Sequence, residues 1–197
     1  MLDSASDDCV RIITGDRDAP PTAVSLPVTV VLDNLRSAFN VGNILRVADA
    51  VRVSGVVTCG YTASPPHPKL AKTARGCDTV VPCRPAPNTA AALGELRRQG
   101  CRIYGVETAA TATVFWETSF VYPMALVFGN EALGLSEDTL SACDAFVALP
   151  AYGMKNSINV GNCAAVVLYE VLRQWLHRDR GAQSKMDGKQ TNMPQGA

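Results

Sequence analysis

The stretch VTVVLDNLRSAFNVGNILRVADAVRVSGVVTCG, residues 28–60, decides the fold class. It begins with the continuous β-branched run Val28–Leu32 and ends with a second apolar run, Gly55–Gly60. Between these runs, apolar residues recur at the spacing of one helix face, at Ile44, Leu45, Val47, Ala48 and Val51. This spacing predicts a helix over Val41–Val53. Because both flanking runs are apolar throughout, they predict parallel strands that are buried on both faces.

The same alternation continues to about residue 177. Further short apolar runs predict strands at Thr79–Cys83, Cys101–Val106, Met124–Gly129 and Ala145–Leu149. Helical patterns lie between them, at Asn88–Gln99, Glu137–Ala142 and from about Ile158 to His177. Alternating strands and helices predict an α/β domain built on a parallel sheet.

The two ends of the chain differ in composition from this domain. Residues 1–26 are polar and contain proline, and they predict an irregular lead-in to a domain that covers residues 27–178. Residues 179–197 have no apolar period and predict a disordered polar tail. The acidic N-terminus lacks a signal-peptide core, and no apolar run approaches the roughly 20 residues of a membrane span, so we expect a cytoplasmic protein.

The net charge and the cysteine and histidine content limit the classes of function that the chain can have. The formal net charge is zero, which is not the basic footprint of a protein that grips nucleic acid by charge alone. The seven cysteines are scattered without a C-x-x-C pair, and there are only two histidines. The sequence therefore predicts no metal site.

The first polar motif follows the first predicted strand. Asn40 lies near the start of the predicted helix, where asparagine is a good N-cap. Arg46 is a polar residue in an otherwise apolar stretch, and by itself it is better explained by a structural ion pair than by a functional role.

The second motif is ALVFGNEALGLS, residues 125–136. Its glycine spacing imitates a phosphate-binding loop, but Leu135 stands where the lysine of such a loop is required. No G-x-G-x-x-G occurs, so a dinucleotide-binding enzyme is also poorly supported. What remains is a glycine-rich strand end that lets a ligand approach the backbone closely, with Glu131 beside it. A loop hydrogen bond would also explain Glu131.

The third motif follows the last predicted strand and leads into the last helix. Four polar residues cluster there, at Asn156, Ser157, Asn159 and Asn162. Capping the helix needs only one of them. The surplus predicts a ligand site at the carboxyl ends of the strands, where α/β folds place ligands.

Three stretches of the chain together resemble the three motifs of the SpoU/TrmH family of SPOUT-class RNA 2'-O-ribose methyltransferases. They are N-x-G-x-x-x-R, F-G-N-E-x-x-G-L-S and P-x-x-G-x-x-x-S-I-N-V. The segment PPHPKLAKTARG (Pro65–Gly76) resembles the RNA-facing segment of that family. The resemblance spans about residues 28–176. It implies an α/β fold with a C-terminal trefoil knot, a homodimer with interfacial active sites, and S-adenosyl-L-methionine as methyl donor. The implied substrate is RNA, and we expect transfer RNA rather than ribosomal RNA.

The resemblance also implies roles for individual residues. The family's catalytic positions are matched by Asn40, Arg46, Glu131, Ser157 and Asn159. Contacts to the methyl donor are implied around Thr108, Gly129, Leu149 and Ile158. Three cations would follow the RNA backbone: Lys69, Lys72 and Arg75.

The chemistry implied is attack of a ribose 2'-oxygen on a sulfonium methyl group, without a metal. A guanidinium is a poor base, so we expect Arg46 to orient the hydroxyl or a phosphate and to stabilise developing oxyanion charge. The proton acceptor is left open between the RNA phosphate, Glu131 and water. Two other classes remain: a non-catalytic RNA-binding protein with the same fold, and an unrelated α/β nucleotide enzyme.

Overall fold

The computed structural model describes residues 25–190, with side chains as far as Arg178. The strands in this part of the chain are β1 Leu26–Asp33, β2 Val53–Cys59, β3 Cys83–Ala86, β4 Arg102–Val106, β5 Thr113–Val114, β6 Met124–Phe128 and β7 Ala145–Ala148. The helices are α1 Ala38–Ala50, α2 Pro68–Ala74, α3 Cys77–Val80, α4 Thr89–Arg98, α5 Glu137–Ala142 and α6 Val160–Gln190.

The strands form one sheet in the order β3-β2-β1-β6-β4-β7-β5. Every neighbouring pair is parallel, which confirms the predicted α/β class with a parallel sheet. Because all strands run the same way, the loops after β1, β4, β6 and β7 emerge at one edge of the sheet. Ligand sites in such sheets lie outside this edge.

The sheet is covered on both faces. On one face, Val28 and Val30 of β1 pack in a core that includes Ile44 of α1 and Val167 of α6. On the other face, Val31 packs in a second core with residues of α4. Burial on both faces explains why the strands have continuous apolar runs rather than alternating ones.

The start of α1 corrects one interpretation of the sequence. Its N-cap is Ser37, whose Oγ accepts a hydrogen bond from the backbone N–H of Asn40 at 3.3 Å. Asn40 therefore lies inside the first turn, and its side chain is not used for capping. A serine cap leaves the Asn40 amide group available for other partners.

A glycine sets the contact between α1 and α2. A Cβ atom on Gly42 would lie 2.0 Å from Oγ1 of Thr73 and 2.7 Å from the carbonyl oxygen of Leu70. No larger residue fits without moving α2. This close approach holds the helix that carries Lys69 and Lys72 against the start of α1.

The strand predicted at Thr79–Cys83 is wrong. Residues Cys77–Val80 form the short helix α3, and the strand β3 begins only at Cys83. The Thr79 Oγ1 hydroxyl donates to the carbonyl oxygen of Gly76 at 2.7 Å, a local bond that competes with strand pairing. Val80 is 65% exposed, so this apolar run does not belong to the buried sheet.

The last helix is longer than predicted. α6 continues past His177 to Gln190, into the segment where the sequence predicts a disordered polar tail from residue 179. Extending a packed helix adds one hydrogen bond for each residue that is fixed, without a new nucleation cost. Residues 1–24 and 191–197, which include most of the predicted lead-in and the end of the predicted tail, lie outside the described residues.

Candidate active site

A cavity of about 780 Å³ opens at the carboxyl ends of β4, β6 and β7. Its wall is formed by the loops that follow these three strands and by the start of α6. All four residues proposed from the resemblance as donor contacts line it: Thr108, Gly129, Leu149 and Ile158. So do three of the five proposed catalytic residues: Glu131, Ser157 and Asn159.

The loop after β6 is a tight closed turn. The backbone N–H of Asn130 donates to the carbonyl oxygen of Gly134 at 3.0 Å, and the reverse bond is 2.9 Å. A Cβ atom on Gly129 would lie 2.5 Å from the carbonyl carbon of Gly134. Only glycine therefore permits this closure, which explains the glycine that ends the second motif's strand.

Glu131 is the hub of a hydrogen-bond network. Its carboxylate accepts from the backbone N–H of Arg36 at 2.8 Å and from that of Ser37 at 3.1 Å. It also accepts from Nδ2 of Asn40 at 2.8 Å. The acidic residue of the second motif thus fixes the loop that leads into α1, where the first motif begins.

The network continues to the third motif through Asn40. Oδ1 of Asn40 accepts from Nδ2 of Asn159 at 3.1 Å. Oδ1 of Asn159 in turn accepts from the backbone N–H of Gly161 at 2.9 Å, at the start of α6. One chain of hydrogen bonds, Glu131 to Asn40 to Asn159, therefore joins the three motifs that the sequence shows separately.

These bonds also set the charge state of Glu131. Burial by itself would raise the pKa of its carboxyl group, but the hydrogen bonds from Arg36, Asn40 and Ser37 outweigh it and lower the pKa. A carboxylate with a lowered pKa and three bound donors is a weak proton acceptor at neutral pH. The site therefore uses Glu131 to hold its loops in place.

Sequence reasoning missed one acidic residue of the cavity wall. Glu107 directly follows β4, and its carboxylate accepts from the backbone N–H of Leu135 at 3.0 Å and of Thr108 at 2.9 Å. It thereby ties the loop after β4 to the loop after β6. The available signal was its position, a carboxylate immediately after a buried strand.

Arg46 does not line the cavity. It lies exposed on α1, more than one turn beyond Asn40. Burial raises the pKa of the Cys77 thiol and Asp49 raises it further, whereas the nearby Arg46 guanidinium lowers it. Arg46 therefore lies beside the start of α3, and within residues 25–178 no carboxylate comes within ion-pair distance of it. The structural ion pair suggested by the sequence is not found there.

The three proposed RNA-binding cations are exposed. Lys69 and Lys72 lie on α2, and Arg75 is its C-cap in a left-handed conformation with φ of 53°. The N-cap of the helix is His67, whose Nδ1 accepts from the backbone N–H of Leu70 at 3.4 Å. The cations are thus presented to solvent by a short helix held against α1.

Metal-binding clusters and membrane-spanning helices are both absent from the described part of the chain. Over residues 25–178, no three His, Cys, Asp or Glu side chains are grouped so that they could bind a metal ion. None of the helices there combines the length and apolar character of a membrane span.

Known proteins match this chain over most of its folded part. The SpoU rRNA Methylase family matches residues 27–169. A tRNA (guanosine(18)-2'-O)-methyltransferase of Thermus thermophilus is 34% identical over 149 residues, which are 76% of this chain and 76% of that enzyme. The 23S rRNA (guanosine-2'-O-)-methyltransferase RlmB of Vibrio parahaemolyticus is 31% identical over 150 residues, which are 76% of this chain and 60% of the relative. The chain spans only 59–60% of the length of several of its curated relatives.

Solved structures agree with the sequence match. The TrmH/SpoU tRNA modifying enzyme of A. aeolicus superposes with a TM-score of 0.71 at 26% identity, covering 79% of this chain and 78% of that one. The SpoU methyltransferase AviRb of Streptomyces viridochromogenes, in complex with AdoMet, gives 0.68 at 29% identity and covers 75% of this chain and 57% of that one. The family match covers most of the chain, and a chain of hydrogen bonds joins the three motifs beside one cavity. The chain therefore belongs to the SpoU rRNA methylase family.

Proposed function

We propose that this chain transfers a methyl group from S-adenosyl-L-methionine to a ribose 2'-hydroxyl of RNA. The observation that carries the proposal is the hydrogen-bond chain from Glu131 through Asn40 to Asn159, which joins all three family motifs at the rim of one cavity. Relatives of this chain are named as 2'-O-methyltransferases of transfer RNA and of ribosomal RNA.

The cavity fits a donor of this kind. Its volume of about 780 Å³ lies in the range of small-molecule sites. Val106, Phe128 and Leu140 supply apolar wall for a planar ring, and the loops at Thr108 and Gly129 bring backbone groups to the same space. S-adenosyl-L-methionine, when bound, supplies an electrophilic methyl group on a sulfonium.

The residues around the cavity have different proposed roles. Asn40 and Asn159 hold the loops in register, and Ser157 presents a hydroxyl on the cavity wall. Correct alignment of nucleophile and methyl group is itself a large part of catalysis in such a transfer. Because both carboxylate oxygens of Glu131 already accept hydrogen bonds from Arg36, Ser37 and Asn40, we propose the RNA phosphate or water as the proton acceptor.

Arg46 is proposed to act in the cavity of a second copy. It lies outside the cavity of its own chain, yet the role proposed for it is to orient the 2'-hydroxyl and stabilise negative charge. A homodimer would bring the two together. Exposed apolar side chains on α6 supply a surface for it: Val166 is 40% exposed, Tyr169 54% and Leu176 56%.

The trefoil knot is part of the same proposal. Residues 149–159 lead from the end of β7 across the cavity to Asn40, and α6 then packs against α1. This path crosses the carboxyl ends of β4 and β6, which lie between β7 and β1 in the sheet. The family topology would thread the segment through the loop after β6.

We further propose transfer RNA as the substrate, in the cytoplasm. The support is the row of exposed cations Lys69, Lys72 and Arg75, which can follow a phosphate backbone. No metal is proposed for the reaction.

Methyl transfer to total RNA from a strain that lacks the gene tests the function. With tritiated S-adenosyl-L-methionine we expect label in the transfer RNA fraction, as an alkali-resistant dinucleotide mapped by mass spectrometry. Label in ribosomal RNA alone would correct the substrate. RNA binding without donor binding or label would instead identify a non-catalytic RNA-binding protein.

A further inference from the structure

Tyr61, directly after β2, combines an exposed ring with a fixed hydroxyl. The residue is 63% exposed, yet its phenol oxygen accepts a hydrogen bond from Nδ2 of Asn130 at 2.7 Å. Asn130 is itself buried, and the same Nδ2 donates to the carbonyl oxygen of Asn34 at 2.8 Å. The outer end of the ring is therefore anchored to a rigid part of the fold.

The backbone beneath the ring is held as well. The N–H of Tyr61 donates to Oδ1 of Asn34 at 3.4 Å, and the next residue, Thr62, is buried with its hydroxyl bonded to the carbonyl oxygen of Leu32 at 3.1 Å. An exposed aromatic side chain fixed at both ends has already lost its rotamer freedom in the fold. Binding to its face would cost little further ordering entropy.

The ring also lies next to the proposed chemistry. Asn130 belongs to the loop after β6, lines the cavity and precedes Glu131. Tyr61 is thus one hydrogen bond from the cavity wall. On its other side the chain leads within a few residues to α2, with the exposed cations Lys69 and Lys72.

Resting on the proposed function, we propose that the ring of Tyr61 is a stacking platform for an unpaired base of the RNA, next to the nucleotide that is methylated. Single-stranded RNA is commonly held by aromatic side chains on which splayed bases stack. The cations of α2 would hold the adjoining phosphates, and Asn130 would hold the ring at a fixed angle to the cavity. Neither the donor nor the 2'-hydroxyl needs to touch Tyr61.

Two substitutions distinguish the contribution of the aromatic ring from that of its hydrogen bond to Asn130. Tyr61→Leu keeps apolar bulk but removes the π face, and we expect the Kd and KM for RNA to rise roughly 10-fold. Tyr61→Phe keeps the face and loses only the anchor, and we expect a rise of less than about 3-fold. Donor affinity and the single-turnover rate at saturating RNA should stay at the wild-type level in both variants. Melting temperature should fall by a similar small amount in both, because each loses the hydrogen bond from Asn130.

A matched control is Trp116→Leu, because Trp116 is another exposed aromatic, 49% exposed, after the edge strand β5. It should leave RNA affinity unchanged. Once the modified nucleotide is mapped, substrates with one abasic ribose beside it complete the test. Removing the stacked base should weaken wild-type binding but add nothing to Tyr61→Leu.

The proposal would be overturned if Tyr61→Leu bound RNA with wild-type affinity. It would also be overturned if removing any base near the modified nucleotide weakened RNA binding by Tyr61→Leu to the same extent. Dissociation of a dimer by Tyr61→Leu would also overturn it, since the ring would then belong to a contact between copies. Failure of the proposed function is distinguishable, because it would show as absence of methyl transfer by the unmodified chain.

Discussion

At the residue scale, Glu131 shows how a family's acidic residue can act through position. Its carboxylate binds two backbone N–H groups and one side-chain amide, from Arg36, Ser37 and Asn40. Charge-assisted hydrogen bonds of this kind are stronger than neutral ones. The acid therefore stabilises the arrangement of two loops at the rim of the cavity.

Glu131→Gln should lower stability at neutral pH by about 1 kcal/mol, because the amide provides one acceptor oxygen where the carboxylate provides two. The folded-state pKa of Glu131 is lowered, so its stabilising effect is present above the unfolded-state pKa near 4.3 and is lost as pH falls through the folded value. Thermal unfolding of both proteins from pH 7 to pH 3 should show the difference shrinking in acid. A difference that is constant over this range would contradict the assignment.

Arg46→Ala should leave melting temperature and donor affinity unchanged, because the residue is exposed, lies outside the cavity and forms no ion pair with the residues described. Single-turnover methylation should fall by roughly 10²-fold or more, the effect of removing one charge-stabilising donor. Arg46→Lys should rescue little, since a point charge does not reproduce the planar guanidinium. An unchanged single-turnover rate would remove Arg46 from the chemistry.

At the element scale, the contact between α1 and α2 connects the first motif to the proposed RNA surface. Gly42 allows the backbone of α2 to approach α1, and its nearest neighbours include the backbone of Leu70 and Ala74. Backbone atoms do not rotate out of the way as a flexible side chain does. The position of Lys69 and Lys72 therefore depends on a residue that touches no ligand.

Gly42→Ala should destabilise the fold by about 1–3 kcal/mol through overpacking. RNA affinity should fall with it, because α2 has to shift, while donor affinity changes less. Gly94→Ala is the matched control: Gly94 lies inside α4, where a Cβ would meet only Nη1 of Arg98 at 3.8 Å. That substitution should stabilise by up to about 1 kcal/mol. Chemical denaturation and RNA titration of both variants check this, and a neutral Gly42→Ala would mean that α2 adjusts freely.

At the scale of the whole molecule, a single chain forms the cavity proposed for the methyl donor, but Arg46 lies outside it. If two copies share their residues, two inactive variants should complement each other. Mixing Arg46→Ala with Asn159→Ala, after unfolding and refolding together, should restore roughly a quarter of wild-type activity. Half of the dimers would then be mixed, and each mixed dimer would have one intact site.

The control is each variant refolded alone, which should stay inactive. Light scattering should show a dimer throughout. No recovery in a mixture that demonstrably contains mixed dimers would place Arg46 and Asn159 in the same copy's site.

The fold class and the location of the polar loops were predictable from the amino-acid pattern. Strands buried on both faces leave continuous apolar runs, so β1, β2, β4, β6 and β7 were found within a few residues of their ends. The run at Thr79–Cys83 failed because local hydrogen bonds of Thr79 formed a helical turn instead. The surplus polar residues of the third motif also predicted a ligand site at the edge of the sheet where the cavity lies.

The hydrogen-bond partners of the polar side chains, by contrast, are visible only in the folded structure. Glu131 and Asn40 are 91 residues apart in the chain, and Asn40 and Asn159 are 119 apart. Local spacing carries no information on such partners, because they meet only when the strands take their order in the sheet. For the same reason only the folded chain shows that Arg46 lies outside its own cavity. The periodicity of apolar residues indicates which face of each segment is buried. A functional site, in contrast, depends on contacts between segments that are distant in the sequence.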